Sequence, residues 1–149
     1  MEQAINPAKI KAIRTHSICA GHRVHGHESK CAHLHGHNYK FEFHCTAGSL
    51  DNVGRVIDFS DIKEKLCMWL EENWDHRFLL WEKDPIAADL SDADSKGVVR
   101  MPFNPTAENM AKHVLEIVGP EQFAGTGVML EKVVLHETDK CFVEVSRSV

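Results

Sequence analysis

The chain has 149 residues, 43% of them hydrophobic and 26% charged, the composition of an ordinary globular protein of one domain spanning 1–149. Its 17 Lys and Arg against 22 Asp and Glu leave a formal charge of -5, which excludes a broadly basic nucleic-acid surface. No stretch approaches the ~20 apolar residues of a membrane span, and the N-terminus MEQAINPAKIKAIRTHS lacks the apolar core of a secretory leader, so the cytoplasm is the default compartment.

Taken in order, residues 9–20 end in a strand-compatible run, and residues 22–36 are polar and glycine-punctuated, as in a long loop. Residues 37–46 alternate. Tyr39, Phe41, Phe43 and Cys45 fall on one face, with Lys40, Glu42, His44 and Thr46 on the other. A turn at Gly48–Gly54 leads to a second short strand, Arg55–Asp58. Phe59, Ile62, Leu66, Trp69, Leu70 and Asn73 then mark a helical stripe capped by Asp58 or Ser60; at that spacing Trp69 and Trp74 read as core. The acidic segment 82–97 reads as a surface loop and 97–101 as a strand. Thr106 is a natural N-cap for a second helix, stopped by Gly119-Pro120. Residues 127–137 and 141–145 form a closing hairpin. This order predicts an α+β domain, an antiparallel four-stranded sheet with two helices on one face.

The chemistry concentrates in Cys31-Ala-His-Leu-His-Gly-His37 with the outlying His22. Side chains two apart on a strand share a face, so His35 and His37 aim at one point, with Gly36 leaving the backbone between them uncrowded. With His22 they make a three-nitrogen site for a catalytic zinc ion, with the fourth position open. Cys31, four residues before His35, falls near the metal without being a ligand. The five cysteines are odd in number and contain no C-x-x-C pair, against a disulfide framework; Cys19, Cys45, Cys67 and Cys141 read as buried free thiols. Of the eleven histidines, His16, His25, His27, His33, His44 and His113 read as surface or hydrogen-bonded residues.

These residues carry a resemblance that runs nearly end to end. Ala20-Gly-His-Arg23, Lys30-Cys-x-x-Leu-His-Gly-His37, Gly54-Arg-Val-Ile-Asp-Phe59, Asp75-His76, Asn104-Pro-Thr-x-Glu108 and Glu137-Thr138 together resemble the 6-pyruvoyl-tetrahydropterin synthase / 6-carboxy-tetrahydropterin synthase family. The three residues between Cys31 and His35 match its carboxy (QueD-type) branch, the pyruvoyl enzymes having a longer spacer.

The resemblance implies the tunnelling fold (T-fold), in which subunits join their sheets into a barrel as a homo-oligomer, a hexamer or tetramer with interfacial active sites. Ring closure removes exposed sheet edges. It also implies Zn2+ held by His22, His35 and His37, and the substrate 7,8-dihydroneopterin triphosphate. The products would be 6-carboxy-tetrahydropterin, acetaldehyde and triphosphate, on the route to queuosine. Cys31 then matches the catalytic cysteine, Asp75 and His76 a proton-transfer pair, Glu137 the pterin anchor and Thr106 a further pterin contact. Arg23, Lys30 and Lys40 are candidate cations for the triphosphate; His25, His27 and His136 receive no role. Two other enzyme outcomes are a pyruvoyl product, which the cysteine spacing opposes, and simple side-chain cleavage. A non-catalytic histidine-rich metal-binding domain leaves Cys31, Asp75-His76 and Glu137 unconnected.

Overall fold

The computed structural model describes residue 5 and residues 7–148. Residues 1–4 and 6, part of the segment read above as no leader, lie outside it. Two long strands, β1 (Ala12–His22) and β2 (His35–Ala47), pair antiparallel over the whole of β1, from Ala12 opposite Cys45 to His22 opposite His35. The alternation predicted for β2 holds: Tyr39, Phe41, Phe43 and Cys45 are all fully buried. Beyond a register shift between His44 and Cys45 the rule lapses, and His44 and Thr46 are buried as well. The hairpin β5 (Val128–His136) and β6 (Phe142–Ser146) extends the sheet from β2, also antiparallel.

The sheet has six strands rather than four, in the order β4-β3-β1-β2-β5-β6. The two additional members are four-residue strands, β3 (Phe78–Trp81) and β4 (Val98–Met101), both added in parallel beyond β1. A strand is expected from the sequence at β4 but not at β3, because Leu79 and Leu80 are both buried and leave no alternation to read. The strand expected at Arg55–Asp58 is absent among the described residues. Asp51 instead accepts the Val53 and Arg55 N–H groups and pairs with the Arg55 guanidinium, closing a turn. Asp58, not Ser60, caps the following helix by accepting the Ser60 N–H.

Helix α1 spans residues 59–73, with a π-helical stretch at Lys63–Cys67, and buries Ile62, Leu66 and Leu70 while Phe59 stays outside. Trp69 and Trp74 meet edge to face at 5.1 Å against the core, as their spacing predicted. The acidic stretch read as a loop contains a short helix, α2 (Ala87–Ala93). Helix α3 spans residues 107–122, capped by Thr106, and does not stop at Gly119-Pro120. Gly119 is helical (φ -55°); a Cβ there would fall 2.7 Å from Leu130 Cδ2, so the glycine serves close packing on β5. Cys45 and Cys67 are buried free thiols as expected, whereas Cys19 and Cys141 are exposed. Cys19 has the parity of β1's open face, and Cys141 lies in the turn before β6. None of the helices among the described residues is long and apolar enough to cross a membrane.

Candidate active site

The last residue of β1, His22, pairs with the first residue of β2, His35, and His37 follows on the same face. One nitrogen from each of the three rings lies within 4.8 Å of the others. Two backbone carbonyls fix the tautomers. His22 Nδ1 donates to the Pro105 carbonyl and His35 Nδ1 to that of His33, each at 2.7 Å. Both Nε2 atoms are thereby left as bare acceptors, 3.1 Å apart. Burial, against a smaller opposing effect of the Pro105 bond and with help from the other two imidazoles, pushes His22 down to about 4, so its ring does not relieve the clash by taking a second proton. His37 is held below its usual value mainly by burial; its Nε2 is buried and without a hydrogen bond, although Glu137 Oε1 stands 3.2 Å away off the bonding direction. Converging lone pairs with no proton between them are the donor set of a cation, and carbonyl-oriented imidazoles are what a zinc-type site requires. The residues fit a metal.

Sequence reasoning missed what holds this cluster. Asn104 grips the loop after His22: its side chain accepts the His25 N–H (3.2 Å) and donates to the His25 carbonyl (2.9 Å), while its own carbonyl accepts Asn109 Nδ2. The next carbonyl, that of Pro105, is the one that orients His22. Thr106 then caps α3 by accepting the Asn109 N–H at 3.1 Å, which leaves the hydroxyl proton free. Cys31 lies in a 3-10 turn (Lys30–Ala32), half-buried, with its carbonyl accepting the Val24 N–H. Tyr39 sits below the histidine cluster, edge-on to His22 and His37, its hydroxyl buried and unpartnered. Burial first, then Glu137 and Cys31, raises that phenol above its ordinary value.

The structure therefore gathers His22, His35, His37 and Glu137, with Cys31 and Thr106 on the segments that frame them. Asp75 and His76 are elsewhere in the chain's fold. They lie on the outer edge of β1 at Cys19, where Asp75 Oδ1 accepts the Cys19 N–H and the His76 N–H donates to the Cys19 carbonyl. That is three strand residues, roughly 10 Å, from His22. Asp75 Oδ2 accepts from His76 Nδ1 at 2.8 Å, and the imidazole is 77% exposed on a backbone held at φ 58°, a left-handed conformation uncommon outside glycine. Of the residues without an assigned role, His136 donates to Glu42 and His27 Nδ1 accepts the Ser29 N–H.

Arg23 is not a free cation. Its guanidinium makes two bonds, 2.6 and 2.5 Å, to Asp84, whose side chain is fully buried. Burial alone would raise Asp84, but the Arg23 bonds and the Ile86 N–H outweigh it and hold the carboxyl below the usual carboxylate range. Asp84→Asn leaves the guanidinium without its charge partner and is expected to cost about 3 kcal/mol at pH 7, or roughly 10 °C in Tm. Because the folded pKa is depressed, this stabilisation is complete above the unfolded value near ~4 and is lost as pH falls through the folded one. The gap in melting temperature between the two proteins should therefore close toward pH 3. An equal gap at pH 7 and pH 3 would contradict the ion-pair account.

A curled six-stranded sheet backed by helices, with three histidines converging where its two longest strands begin and end, defines a tunnelling-fold protein with a metal-competent centre. Residues 11–148 match the family model described as 6-pyruvoyl tetrahydropterin synthase, and the chain belongs to that family. It is 39% identical over 137 residues to the 6-carboxy-5,6,7,8-tetrahydropterin synthase of Rickettsia felis, covering 91% of this chain and 99% of the relative. The Haemophilus influenzae protein of the same name is 30% identical over 143 residues, covering 91% and 97%. Among solved structures, the fold matches an uncharacterized protein from Wolinella succinogenes with a TM-score of 0.83 at 23% identity, over 95% of this chain and 100% of that one. It also matches the Caenorhabditis elegans 6-pyruvoyl tetrahydropterin synthase, with a TM-score of 0.69 at 24% identity, over 97% and 100%.

Proposed function

We propose that this chain is a zinc-dependent 6-carboxy-tetrahydropterin synthase. It converts 7,8-dihydroneopterin triphosphate to 6-carboxy-tetrahydropterin, acetaldehyde and triphosphate, in the cytoplasm and on the 7-deazapurine route to queuosine. The observation that carries the reading is the facing pair of bare imidazole nitrogens on His22 and His35, with His37 and Glu137 beside them. The carboxy-type names of relatives at 37–39% identity, and the three-residue spacing from Cys31 to His35, favour the carboxy product over the pyruvoyl one.

His22, His35 and His37 hold the zinc. When bound, it supplies Lewis-acid stabilisation of negative charge at the substrate's side-chain oxygens. Glu137 accepts two parallel N–H bonds from the pterin edge, a geometry that selects for a 2-amino-pyrimidinone. The Thr106 hydroxyl, already an acceptor in the cap, has its proton to donate to the pterin. Cys31 carries protons at the side-chain carbons. Asp75 takes the Nδ1 proton of His76 as a hydrogen bond and leaves Nε2 to accept and return a proton.

That last pair explains the assembly. Within one chain the exposed His76 is anchored at Cys19, three strand residues from His22, and on this reading the proton-transfer pair serves the site of an adjoining subunit. The β6 and β4 edges of the sheet end the strand order on either side, and joining them around a ring of subunits removes unpaired backbone. On this reading the chain assembles as a homo-oligomer, a hexamer or tetramer, with interfacial sites.

Mass analysis of products from zinc-loaded protein and dihydroneopterin triphosphate tests the reading. The expected result is carboxy-pterin with acetaldehyde. A pyruvoyl product would move the chain to the sister branch, and no turnover by an intact, metallated oligomer would end the enzyme reading.

A further inference from the structure

A triphosphate ester and a protein of charge -5 repel each other unless local cations intervene. Arg23, the nearest candidate to the metal loop, is neutralised by Asp84. The guanidinium groups of Arg14, Arg55 and Arg147 are engaged as well, by the Phe59 carbonyl, Asp51 with Asp58, and the Leu115 carbonyl. Among the described residues this leaves Arg77 and Arg100 as the arginines whose guanidinium has no hydrogen bond. Arg77 lines the cleft at the outer edge of β1, and Arg100 does not.

That cleft is a solvent-open depression of about 420 Å³, in the size range of small-molecule sites. Arg77, His76 and Asn38 supply its polar walls, and no Asp or Glu lines it, in a chain with 22 of them. The adjacent carboxylates are engaged, Asp75 by the Cys19 N–H and His76 Nδ1 and Glu71 by His16 Nε2. Gly21 and Gly36, cross-strand partners in the floor, leave it free of side chains, and a Cβ on Gly21 would run into the Phe78 ring. Cys19, Gly21, Gly36 and Asn38 share the parity opposite to that of His37 and Tyr39, so the cleft lies on the other face of the sheet from this chain's own histidine cluster and suits the substrate of an adjoining subunit.

We infer that this cleft is an anion site in which Arg77 seats the phosphates of the substrate, beside the imidazole of His76. A guanidinium pairs two phosphate oxygens at once, and with no carboxylate on the walls nothing competes for it. The inference rests on the substrate reading above, but the site can be probed without any turnover.

The test is calorimetric titration of the metal-loaded oligomer with inorganic triphosphate, the metal content being measured before and after so that chelation is common to all proteins. Arg77→Ala should bind about 10- to 100-fold more weakly, the worth of a charge-assisted contact. Arg77→Lys should recover part of the loss, and Lys112→Ala, which removes one exposed charge from α3, should bind as the wild type does. In turnover, Arg77→Ala should raise KM for dihydroneopterin triphosphate by the same factor with kcat changed only a few-fold. Phosphate-free dihydroneopterin should compete equally well against both proteins. Three results overturn the inference: undiminished triphosphate binding by Arg77→Ala, an equal loss in Lys112→Ala, or weaker triphosphate binding with KM unchanged. If wild-type protein does not turn the pterin over at all, the enzyme reading fails, and the calorimetry still decides whether Arg77 makes an anion site.

Discussion

Cys31→Ala is expected to lower turnover by about 10²- to 10⁴-fold, the usual worth of a positioned proton carrier, while metal content, oligomer size and Tm stay at wild-type values. The separation is expected because Cys31 is half-buried in a short 3-10 turn whose link to the rest of the site is its backbone carbonyl, which alanine retains. Neither of the bonds that orient His22 and His35 passes through its sulfur. Measuring kcat beside metal stoichiometry distinguishes the competing readings. A metal-binding or sensing domain loses nothing on this substitution, whereas the synthase keeps its zinc and stops turning over. Wild-type kcat in Cys31→Ala would remove the cysteine from the mechanism, and with it the strongest reason to read this chain as an enzyme of the carboxy type.

The second large effect is expected from His35→Ala. Two ligands remain, and the facing Nε2 pair that makes the site attractive to a cation is gone. Metal stoichiometry should fall from one per chain to near zero at micromolar zinc, with activity at background. His35 is a cleaner choice than His22. It is only half-buried, and its Nδ1 partner, the His33 carbonyl, sits in an exposed loop. His22 is 1% exposed, so its loss also opens a cavity and strands the Pro105 carbonyl. The companion readout is thermal. Zinc at a thousand times its Kd stabilises a protein by about 4 kcal/mol, roughly 10 °C for a chain of this length, and His35→Ala should show none of that gain. A variant that retains zinc and its thermal shift would place the metal elsewhere.

The proposed oligomer and the proposed role of the Asp75-His76 pair depend on one another. A proton carrier oriented by a carboxylate is of no use to a site roughly 10 Å along the strand that it does not face. Its exposure becomes intelligible if a neighbouring chain docks there. The strained backbone at His76 fits that account, since a left-handed residue held by bonds to Cys19 aims the imidazole outward. The proposed seat for phosphate lies on the same edge, so a single substrate would meet the anion site and the proton carrier together.

Much of the site is legible in the sequence because strand geometry has a period of two. His35 and His37 share the parity of Tyr39, Phe41 and Phe43, and that alone places two imidazoles at the end of a core-facing row. The N-cap at Thr106 is legible for the same local reason, as is the helical stripe of Ile62, Leu66 and Leu70. The failures are also local signals, overruled by their surroundings. Gly119-Pro120 looks like a stop, yet the helix continues because Gly119 is needed against Leu130. Arg55–Asp58 looks like a strand, yet Asp51 and Asp58 commit its polar groups to a turn and a cap.

What the sequence by itself determined, then, is whatever depends on neighbours a few residues apart: the alternation of β2, the placement of two of the three clustered histidines on it, the caps, and the motif order that marks the family. What only the tertiary structure decided depends on partners far along the chain. The Pro105 carbonyl that sets the His22 tautomer is 83 residues away, Asn104 holds the His25 backbone across 79, and Asp84 neutralises Arg23 across 61. β3 reaches β1 in parallel and carries Asp75, His76 and Arg77 to an edge of the sheet that no spacing rule foretells. A backbone carbonyl has no side-chain signature, and a charge pair is written in the sequence only as two separate residues. Folding alone brings them within bonding distance.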